Sequence, residues 1–471
     1  MRLADLAGIG GDSRVTGFAI DHRKVAPGTV FGAFRGSVFN GEDFIPQAVS
    51  AGAVAVVARP DVPVEGAAHV PAEEPRREFA RLAARFFEPF PETVVAVTGT
   101  NGKTSSVELT RQLWRMAGHH AASIGTLGVT TADERTTTGL TTPDIVTFLS
   151  NMAGLAREGV THAAFEASSH GLSQYRTEGL PVSAGAFTNF TRDHLDYHET
   201  MHAYFEAKMR LFDEVVEPGG AAVIWTDDPK SDDVIERARA RGLRLFTVGR
   251  RGETLKLVDR EPTQLGQRLN VEAEGKSRRI ELPLIGAYQA ANALTAAGLV
   301  LATGGDLERV LASLPRVQGV RGRLERAVIT RAGAPVYVDY AHTPDAIEAA
   351  VEALRPHAEG RLIIVFGAGG DRDVGKRAQM GAMAARLADL AIVTDDNPRS
   401  EDPATIRRDI MGGAGEAREV PGRREAIAAA VAEAGPGDIV LLAGKGHEQG
   451  QIVGDKVLPF DDVTVARECA A

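Results

Sequence analysis

Short apolar runs alternate along this chain with longer, alanine-rich stretches whose apolar residues recur at helical spacing. Short apolar runs bounded by turn residues are typical of buried strands, and their alternation with helices is typical of parallel sheets. The sequence therefore predicts an α/β fold. The predicted strands include Ala53–Ala58, Val94–Val97, Ala163–Phe165, Ala221–Ile224, Leu362–Phe366, Leu390–Val393 and Ile439–Leu442.

Two turn-rich segments divide this pattern into three parts. FEPFPE at 87–92 carries two prolines between a helical stretch and a strand, and LPRVQGVRG at 314–322 carries proline and glycine after a helix. A chain of 471 residues is longer than one hydrophobic core usually serves. We therefore expect three domains, at residues 1–88, 89–317 and 318–471.

The composition is that of an acidic globular protein. Lys and Arg number 53 against 63 Asp and Glu, and the net charge of −10 argues against general nucleic-acid binding. Cys469 is the single cysteine, so no disulfide can form within the chain, which fits a reducing compartment. No apolar run reaches the roughly 18 residues that a membrane span needs. We expect a monomeric, cytoplasmic protein that does not insert into a membrane.

Residues 94–105 read VVAVTGTNGKTS, an apolar strand followed by a glycine-rich turn and then by a helical stretch over Val107–Met116. Backbone N–H groups of such a turn, together with the helix N-terminus, can face phosphate oxygens. Lys103 is expected at the β- and γ-phosphates of a nucleotide, and the Thr104 hydroxyl at Mg²⁺. The common template needs glycine where Val97 stands, so this loop is a shorter variant.

The motif TGTNGKTS resembles the phosphate loop of the Mur ligases and of the related folylpolyglutamate synthetases. The resemblance to the Mur ligase family extends over nearly the whole chain, through nine further motifs in the expected order. These motifs are FEASSHGLSQYR (165–176), TNFTRDHLDYH (188–198), FEAKMRLF (205–212), GAYQAANALTA (286–296), GVRGRLERA (319–327), VDYAHTPDAI (338–347), GAGGDRDVGKR (367–377), DDNPRSEDP (395–403) and AGKGHEQGQ (443–451).

Within the family, the chain is most similar to the ligases that add meso-diaminopimelate to UDP-N-acetylmuramoyl-L-alanyl-D-glutamate in peptidoglycan precursor synthesis. The resemblance implies a UDP-binding N-terminal domain, a central P-loop-type ATPase domain with a parallel sheet, and a C-terminal Rossmann-like domain. It also implies ATP as a substrate, Mg²⁺ as a cofactor and an acyl-phosphate intermediate.

The resemblance implies a catalytic set of Lys103, Lys208, His194 and Arg323, and metal ligation by Thr104, Glu166, His194 and Lys208. Lys208 matches the family's carbamylated lysine; burial lowers the pKa of an amine, and the neutral amine can attack CO₂. From the residues alone, a surface lysine is the favoured interpretation of Lys208, a solvated strand end that of Glu166, and a loop hydrogen bond that of His194. The implied ATP-binding residues are Gly99, Thr100, Asn101, Gly102, Lys103, Thr104, Ser105, Asn292, Arg323, Asp339, Tyr340 and His342.

The acceptor substrate is anionic, and Arg176 can pair with a carboxylate through two hydrogen bonds. His22 stands where family members commonly have serine, and its ring can still donate a hydrogen bond. The resemblance implies contacts to the UDP-linked acceptor from His22, Asn40, Thr141, Thr142, Ser168, Gln174 and Arg176.

The motif DNPR follows the predicted strand Leu390–Val393, and parallel sheets bind ligands at the carboxyl ends of their strands. Diaminopimelate has one more carboxylate than lysine, and a guanidinium recognises a carboxylate. Arg399 therefore favours diaminopimelate as the incoming amino acid. The implied diaminopimelate contacts are Arg372, Asp396, Asn397, Arg399, Gly444 and Glu448.

Three alternatives stay open at this point. A lysine-adding homologue would differ at the position of Arg399. A folylpolyglutamate-type ligase shares the phosphate loop and the lysine at 208, but not DNPR or the N-terminal segment. A non-catalytic nucleotide or UDP-sugar binder should have lost phosphate or metal residues, and this chain retains them.

Overall fold

The computed structural model describes residues 1–9, 11–36, 39–131, 135–136, 141–263 and 266–471. Among these residues, three large sheets follow one another along the chain, and each has a core of parallel strands. The predicted α/β class is confirmed, and all seven strands named above are present. No helix in the described ranges is both long enough and apolar enough to cross a membrane.

The first sheet has four parallel strands in sequence order. Helix Pro75–Phe87 packs on it through a face in which Phe79 is fully buried, with its ring 5.2 Å from that of Phe18. The strands are β1 (Gly17–Ala19), β2 (Thr29–Gly32), β3 (Ala53–Ala58) and β4 (Ala68–Pro71), and the helices are α1 (Leu3–Ala7), α2 (Ile45–Ser50) and α3 (Pro75–Phe87).

The second sheet has eleven strands, and its parallel centre is flanked at both edges by antiparallel strands. The strands are β5 (Thr93–Thr98), β6 (Ala121–Gly125), β7 (Gly128–Thr130), β8 (Arg135–Thr136), β9 (His162–Glu166), β10 (Val182–Phe187), β11 (Val216–Trp225), β12 (Arg244–Gly249), β13 (Leu255–Thr263), β14 (Gly266–Ala273) and β15 (Lys276–Leu282). The helices are α4 (Lys103–Met116), α5 (Ile145–Arg157), α6 (Ser169–Ser173), α7 (Leu195–His198), α8 (Met201–Arg210), α9 (Ser231–Ala240), α10 (Ala287–Ala302) and α11 (Leu307–Ser313).

Helices α4 and α10 pack side by side on one face of this sheet. Helix α10 is rich in alanine and glycine, which lets it approach the strands closely: a Cβ on Gly298 would lie 2.7 Å from Cγ1 of Val223. Helix α4 begins at Lys103, four residues before the predicted helical stretch, because Gly102 adopts a left-handed conformation and the helix starts directly after it. Both helices therefore reach the phosphate loop.

The third sheet has six strands, antiparallel only between the first pair, and a separate hairpin follows it. The strands are β16 (Glu325–Ile329), β17 (Pro335–Asp339), β18 (Leu362–Phe366), β19 (Leu390–Val393), β20 (Arg418–Glu419), β21 (Ile439–Ala443), β22 (Gly450–Val453) and β23 (Lys456–Pro459). The helices are α12 (Pro344–Leu354), α13 (Lys376–Leu387), α14 (Pro403–Met411), α15 (Arg423–Glu433) and α16 (Asp462–Ala470).

A fully buried ion pair joins the last two helices of this region. Arg423, the first residue of α15, lies 2.6 Å from the carboxylate of Asp462, the first residue of α16, and neither side chain is exposed. Arg423 also donates to the carbonyl oxygen of Ala443, at the end of β21, over 2.9 Å. The ion pair therefore holds the end of a central strand.

The segment 314–322 lies against α4. The side chain of Gln112 donates to the carbonyl oxygen of Gln318 over 3.2 Å and accepts from its N–H over 2.8 Å. This reciprocal contact fixes the segment between the second and third sheets to the helix that follows the phosphate loop. The division into domains at residues 88 and 317 stays a prediction.

Candidate active site

The phosphate loop runs from the end of β5 to the start of α4. Gly99 and Gly102 have φ angles of 142° and 85°, which L side chains rarely adopt. A Cβ on Gly102 would lie 2.4 Å from Oδ1 of Asn292, in the middle of α10. Asn292 is 4% exposed. Glycine is therefore required at position 102 both for the backbone conformation and for contact with α10.

The side-chain nitrogens of two lysines share one carbonyl oxygen of this loop. Lys103 Nζ donates to the carbonyl of Gly99 over 2.9 Å, and Lys208 Nζ donates to the same oxygen over 2.6 Å. Lys208 is 1% exposed, and its Nζ lies 4.4 Å from the ring centroid of Tyr204. Desolvation, followed by the charge of Lys103, holds the pKa of Lys208 well below its usual value. Desolvation also lowers the pKa of Lys103.

Glu166 and His194 line the same cleft as these lysines. Glu166 ends β9, and its two carboxylate oxygens accept from the N–H and the hydroxyl of Thr126, over 2.7 and 3.1 Å. His194 precedes α7 with a φ of 52°, and its Nε2 lies 3.5 Å from Asp193. Desolvation lowers the pKa of His194 to about 4, so the imidazole is neutral at pH 7 and can donate a lone pair.

The four predicted metal ligands, Thr104, Glu166, His194 and Lys208, line one cleft of about 530 Å³. No group of three His, Cys, Asp or Glu residues in the described ranges could hold a metal by itself. Mg²⁺ is commonly bound by one or two protein ligands together with substrate phosphates and water. The hydroxyl, carboxylate and neutral imidazole fit such an ion, whereas Lys208 fits only if its amine is converted to a carbamate.

Residues of the third region form part of the wall of the cleft. Arg323 Nη2 donates to the hydroxyl of Thr104 over 3.0 Å, and the guanidinium lies 4.6 Å from the ring centroid of Tyr340. Asp339 accepts from the backbone N–H groups of Leu324 and Ala341, and desolvation raises its pKa. The predicted nucleotide residues that line the cleft are Thr100, Asn101, Gly102, Lys103, Thr104, Ser105, Asn292, Arg323, Asp339, Tyr340 and His342.

The His342 ring nitrogen Nδ1 lies 2.7 Å from the backbone carbonyl oxygen of Tyr340, which fixes the His342 ring at this wall. Desolvation raises the pKa of Tyr340 to about 12 and lowers the pKa of His342. Gly99, the remaining predicted nucleotide residue, does not line the cleft in the described ranges. Its carbonyl oxygen accepts from both Lys103 and Lys208.

Five of the seven predicted acceptor contacts lie together beside Glu166. The hydroxyl of Thr142 donates to the backbone carbonyl of Glu166 over 2.7 Å and lies 2.9 Å from the hydroxyl of Ser168. Arg176 donates to the carbonyl oxygen of Thr142 over 2.7 Å and to the amide oxygen of Gln174. The hydroxyl of Thr141 lies 3.1 Å from that of Thr126, the residue that also holds Glu166.

The remaining two, His22 and Asn40, lie in the first region and are not among the described residues that line the cleft. The His22 ring stacks on that of Phe44, with centroids 4.4 Å apart and planes 3° apart. Asn40 Oδ1 accepts from the N–H of Glu42 and caps a short 3₁₀ turn. The two residues therefore lie at either end of one short turn.

The predicted amino-acid residues meet where β19 and β21 end. Asn397 Nδ2 donates to Glu448 Oε2 over 2.8 Å. A Cβ on Gly444 would lie 3.1 Å from the Asp396 carboxylate, so the strand end and this loop are in close contact. Arg399, with a φ of 53°, donates to the carbonyl oxygen of Gly370 over 2.7 Å.

Arg372 lies two residues after Gly370, whose carbonyl oxygen accepts from Arg399. It is exposed, and it donates to the carbonyl of Asp371 over 3.1 Å. No hydrogen bond between Arg372 and the other predicted amino-acid residues is present in the described ranges.

Two residues at the site were missed by the sequence reasoning. Thr126 holds Glu166, and nothing in its sequence surroundings indicates this contact. Lys445 is fully buried, with its Nζ 3.1 Å from both Asn397 Oδ1 and Glu448 Oε2. A lysine between two glycines directly after an apolar strand, within AGKGHEQGQ, is the signal that could have found it.

Comparison with known proteins agrees with this geometry. Three family models match successive parts of the chain: "Mur ligase family, catalytic domain" over residues 14–87, "Mur ligase middle domain" over 97–300, and "Mur ligase, glutamate ligase domain" over 322–446. The chain belongs to the Mur ligase family. It is therefore an ATP-dependent ligase that forms amide bonds and uses ATP with Mg²⁺.

Among its relatives is the UDP-N-acetylmuramoyl-L-alanyl-D-glutamate–2,6-diaminopimelate ligase of Zymomonas mobilis, 61% identical over 461 residues that cover 97% of this chain and 95% of the relative. The ligase of the same name from Bradyrhizobium diazoefficiens is 52% identical, covering 98% and 97%. A solved structure of a ligase with that name is 32% identical, covers 100% of this chain and 98% of its own, and has a TM-score of 0.73.

Proposed function

We propose that this enzyme adds meso-diaminopimelate to the γ-carboxylate of D-glutamate in UDP-N-acetylmuramoyl-L-alanyl-D-glutamate, in peptidoglycan precursor synthesis. The observation that carries the proposal is the 61% identity, over 97% of the chain, to a ligase named for this reaction. The group that contains Arg399 and Glu448 supports it, because a guanidinium and a carboxylate together suit an amino acid that carries an additional carboxylate and ammonium.

We assign the UDP part of the acceptor to residues 1–88, ATP to 89–317 and the amino acid to 318–471. Support for this division comes from the placement of the candidate groups on the three successive sheets. The nucleotide group is the exception, since Arg323 reaches from the third region to Thr104 in the second. ATP binding should therefore involve both of these regions.

The first step is transfer of a phosphoryl group. An oxygen of the D-glutamyl γ-carboxylate attacks the γ-phosphorus, the bond from that phosphorus to the bridging oxygen breaks, and ADP leaves. Lys103 and Arg323 offset the negative charge that both reactants carry, and they hold the phosphates in line with the attacking oxygen. Mg²⁺, held by Thr104, Glu166, His194 and a Lys208 carbamate, would neutralise further charge on the phosphate oxygens.

The second step forms the amide. A neutral amine of diaminopimelate attacks the acyl carbon, the tetrahedral intermediate collapses, and phosphate leaves with the electrons of the carbon–oxygen bond. We assign Arg399 to the carboxylate at the other end of diaminopimelate, and Glu448 with Asn397 to the ammonium there. Anchoring that end fixes the attacking amine relative to the acyl-phosphate.

Carbamylation of Lys208 is part of the proposal. The neutral amine would attack CO₂, form a nitrogen–carbon bond and release one proton, which replaces a cation by an anionic oxygen donor. Full burial, the neighbouring charge of Lys103 and the lowered pKa all favour the neutral amine. With ¹³C-bicarbonate, a carbamate carbon signal should appear in the NMR spectrum and be lost in Lys208→Met. An active enzyme without this signal would contradict the modification.

The test of the function is phosphate release from ATP with the UDP-linked dipeptide, comparing meso-diaminopimelate with L-lysine. We expect release, and a UDP-tripeptide product, with diaminopimelate alone. Equal release with lysine would favour a lysine-adding homologue, and release with a folate acceptor instead would favour a folylpolyglutamate-type ligase. No turnover with any acceptor would favour a non-catalytic binder. The monomeric state and the cytoplasmic location stay predictions, and sedimentation analysis tests the former.

A further inference from the structure

Lys445 is a buried cation at the amino-acid end of the site. It follows β21, its side chain is 0% exposed, and it does not line the nucleotide cleft in the described ranges. Its Nζ lies 3.1 Å from Asn397 Oδ1, 3.1 Å from Glu448 Oε2 and 3.6 Å from Asp396 Oδ1. The proposed function assigns Asn397 and Glu448 to diaminopimelate, and Asp396 is among the contacts to it that the sequence resemblance implies.

The contact with Asn397 decides which way its amide group faces. Asn397 Oδ1 accepts from Lys445 and, over 3.0 Å, from the N–H of Ile452. Two donors on one atom identify that atom as the oxygen, so the NH₂ group is directed at Glu448. Without the ammonium of Lys445, one of the two interactions that fix this orientation is lost.

The contact with Glu448 decides which of its oxygens is available. Glu448 Oε2 accepts from both Asn397 and Lys445. In the described ranges, the hydrogen bonds to this carboxylate go to Oε2, so Oε1 is left to accept from a bound ammonium. The side chain of Glu448 is 29% exposed, which leaves a path for the substrate.

Lys445 is also the counter-ion of a buried carboxylate. Asp396 Oδ1 is buried and has no hydrogen-bond partner in the described ranges, and the nearest cation is Lys445. A buried cation costs desolvation energy, and an apolar side chain often stabilises a fold as well or better. The neighbouring pair Arg423–Asp462, in contrast, is complete without any residue of the site. Lys445 instead places one positive charge between two carboxylates of the site, those of Asp396 and Glu448.

We infer that Lys445 is a positioning residue for the incoming amino acid, which orients Asn397 and Glu448 and reserves one carboxylate oxygen for the ammonium of diaminopimelate. The inference rests on the proposed function. It makes Lys445 act through its neighbours and not by contact with ATP or with the UDP-linked acceptor. Its loss should therefore affect the KM for one substrate of the three.

The test is steady-state kinetics of Lys445→Met with each substrate varied in turn. We expect the KM for diaminopimelate to rise by at least about tenfold, because buried carboxylates lose their partner. The KM values for ATP and for the UDP-linked dipeptide should stay within about twofold. Lys256→Met, which removes an exposed lysine that lies 3.9 Å from Glu272, is the control and should change none of them. An equal rise for all three substrates would overturn the inference.

A double-mutant cycle with Glu448→Gln separates positioning from a general structural role. If Lys445 acts through Glu448, the double variant should be no worse for diaminopimelate than the worse single variant. Independent, multiplying losses would contradict this coupling. If Lys445→Met does not fold, the double variant Lys445→Gln with Asp396→Asn can be used, because it removes the charges of both residues and retains hydrogen-bonding groups. The same selective rise in the KM for diaminopimelate is expected. An unchanged KM for diaminopimelate would overturn the inference.

Measurements on the wild-type enzyme distinguish a failure of the proposed function from a failure of the role inferred for Lys445. If it does not form the tripeptide from diaminopimelate, the proposed function fails. If it does, and the Lys445 variants bind diaminopimelate as tightly as the wild type, only this inference fails.

Discussion

Arg323 donates a hydrogen bond from Nη2 to the hydroxyl of Thr104 over 3.0 Å, which joins the third region to the phosphate loop. The guanidinium of Arg323 also packs over the ring of Tyr340. A rotation of the third region away from the second would break this contact, so the catalytic arrangement depends on the two regions closing together.

Arg323→Ala should therefore lower kcat by about 100-fold or more, because the charge of the transferring phosphoryl group loses a fixed cation. The KM for diaminopimelate should change little, since Arg323 lies at the nucleotide end. Steady-state phosphate release measures both constants. Arg418→Ala removes an arginine from an exposed ion pair with Glu433 and is the control. A normal kcat in Arg323→Ala would rule out its proposed role.

Gly102→Ala tests the fit between the phosphate loop and α10. The new Cβ would meet Asn292 Oδ1 at 2.4 Å, in a backbone conformation that itself costs about 1–3 kcal/mol. We expect a weaker ATP affinity and a lower melting temperature. Gly118→Ala is the matched control: its φ of 95° imposes similar backbone strain, but nothing lies within 4 Å of the new Cβ. Equal ATP affinity in the two variants would contradict the steric argument.

Lys208→Met tests whether the lysine serves function more than stability. Replacing the buried amine by an apolar side chain removes the desolvation cost of a polar group, so the melting temperature measured without added bicarbonate should be maintained or should rise. Activity should be lost, and added bicarbonate should not restore it. Calorimetry and phosphate release measure the two properties. A variant that is destabilised and fully active would reverse both expectations.

The buried imidazole of His162 should make the folded protein less stable in acid. Its ring lies 4.0 Å from that of His119 and 5.0 Å from that of Trp114, and desolvation, together with the charge of His119, lowers its pKa from 6.5 to about 4. Between these values the unfolded chain binds a proton that the folded chain excludes. The contribution to stability is therefore complete above pH 6.5 and is lost as the pH falls towards 4.

His162→Phe retains a ring and removes the titrating group. Its melting temperature should fall less than that of the wild type between pH 6.5 and 4. His202→Phe, at an exposed position in α8, should keep the wild-type dependence. Parallel curves for the wild type and His162→Phe would exclude His162 as a source of the acid sensitivity.

The sequence allowed the α/β class and the strands around the site to be predicted, because continuous apolar runs such as Leu362–Phe366 are buried on both faces of a parallel sheet. It also indicated which motifs carry chemistry. It could not indicate that Lys103 and Lys208 share one carbonyl, since residues 105 positions apart meet only through the sheet. The contact of Thr126 with Glu166 and the burial of Lys445 depend in the same way on tertiary packing.

The Arg423–Asp462 pair has a consequence for where the chain can be altered. Asp462 is the first residue of α16, yet its carboxylate holds the guanidinium that binds the carbonyl of Ala443, one residue before Gly444. Truncation or fusion that displaces α16 would leave the Arg423 guanidinium without its carboxylate partner, next to the strand end that carries Gly444. Damage to this helix, remote from the reacting atoms in sequence, should therefore be detected first as impaired recognition of the incoming amino acid.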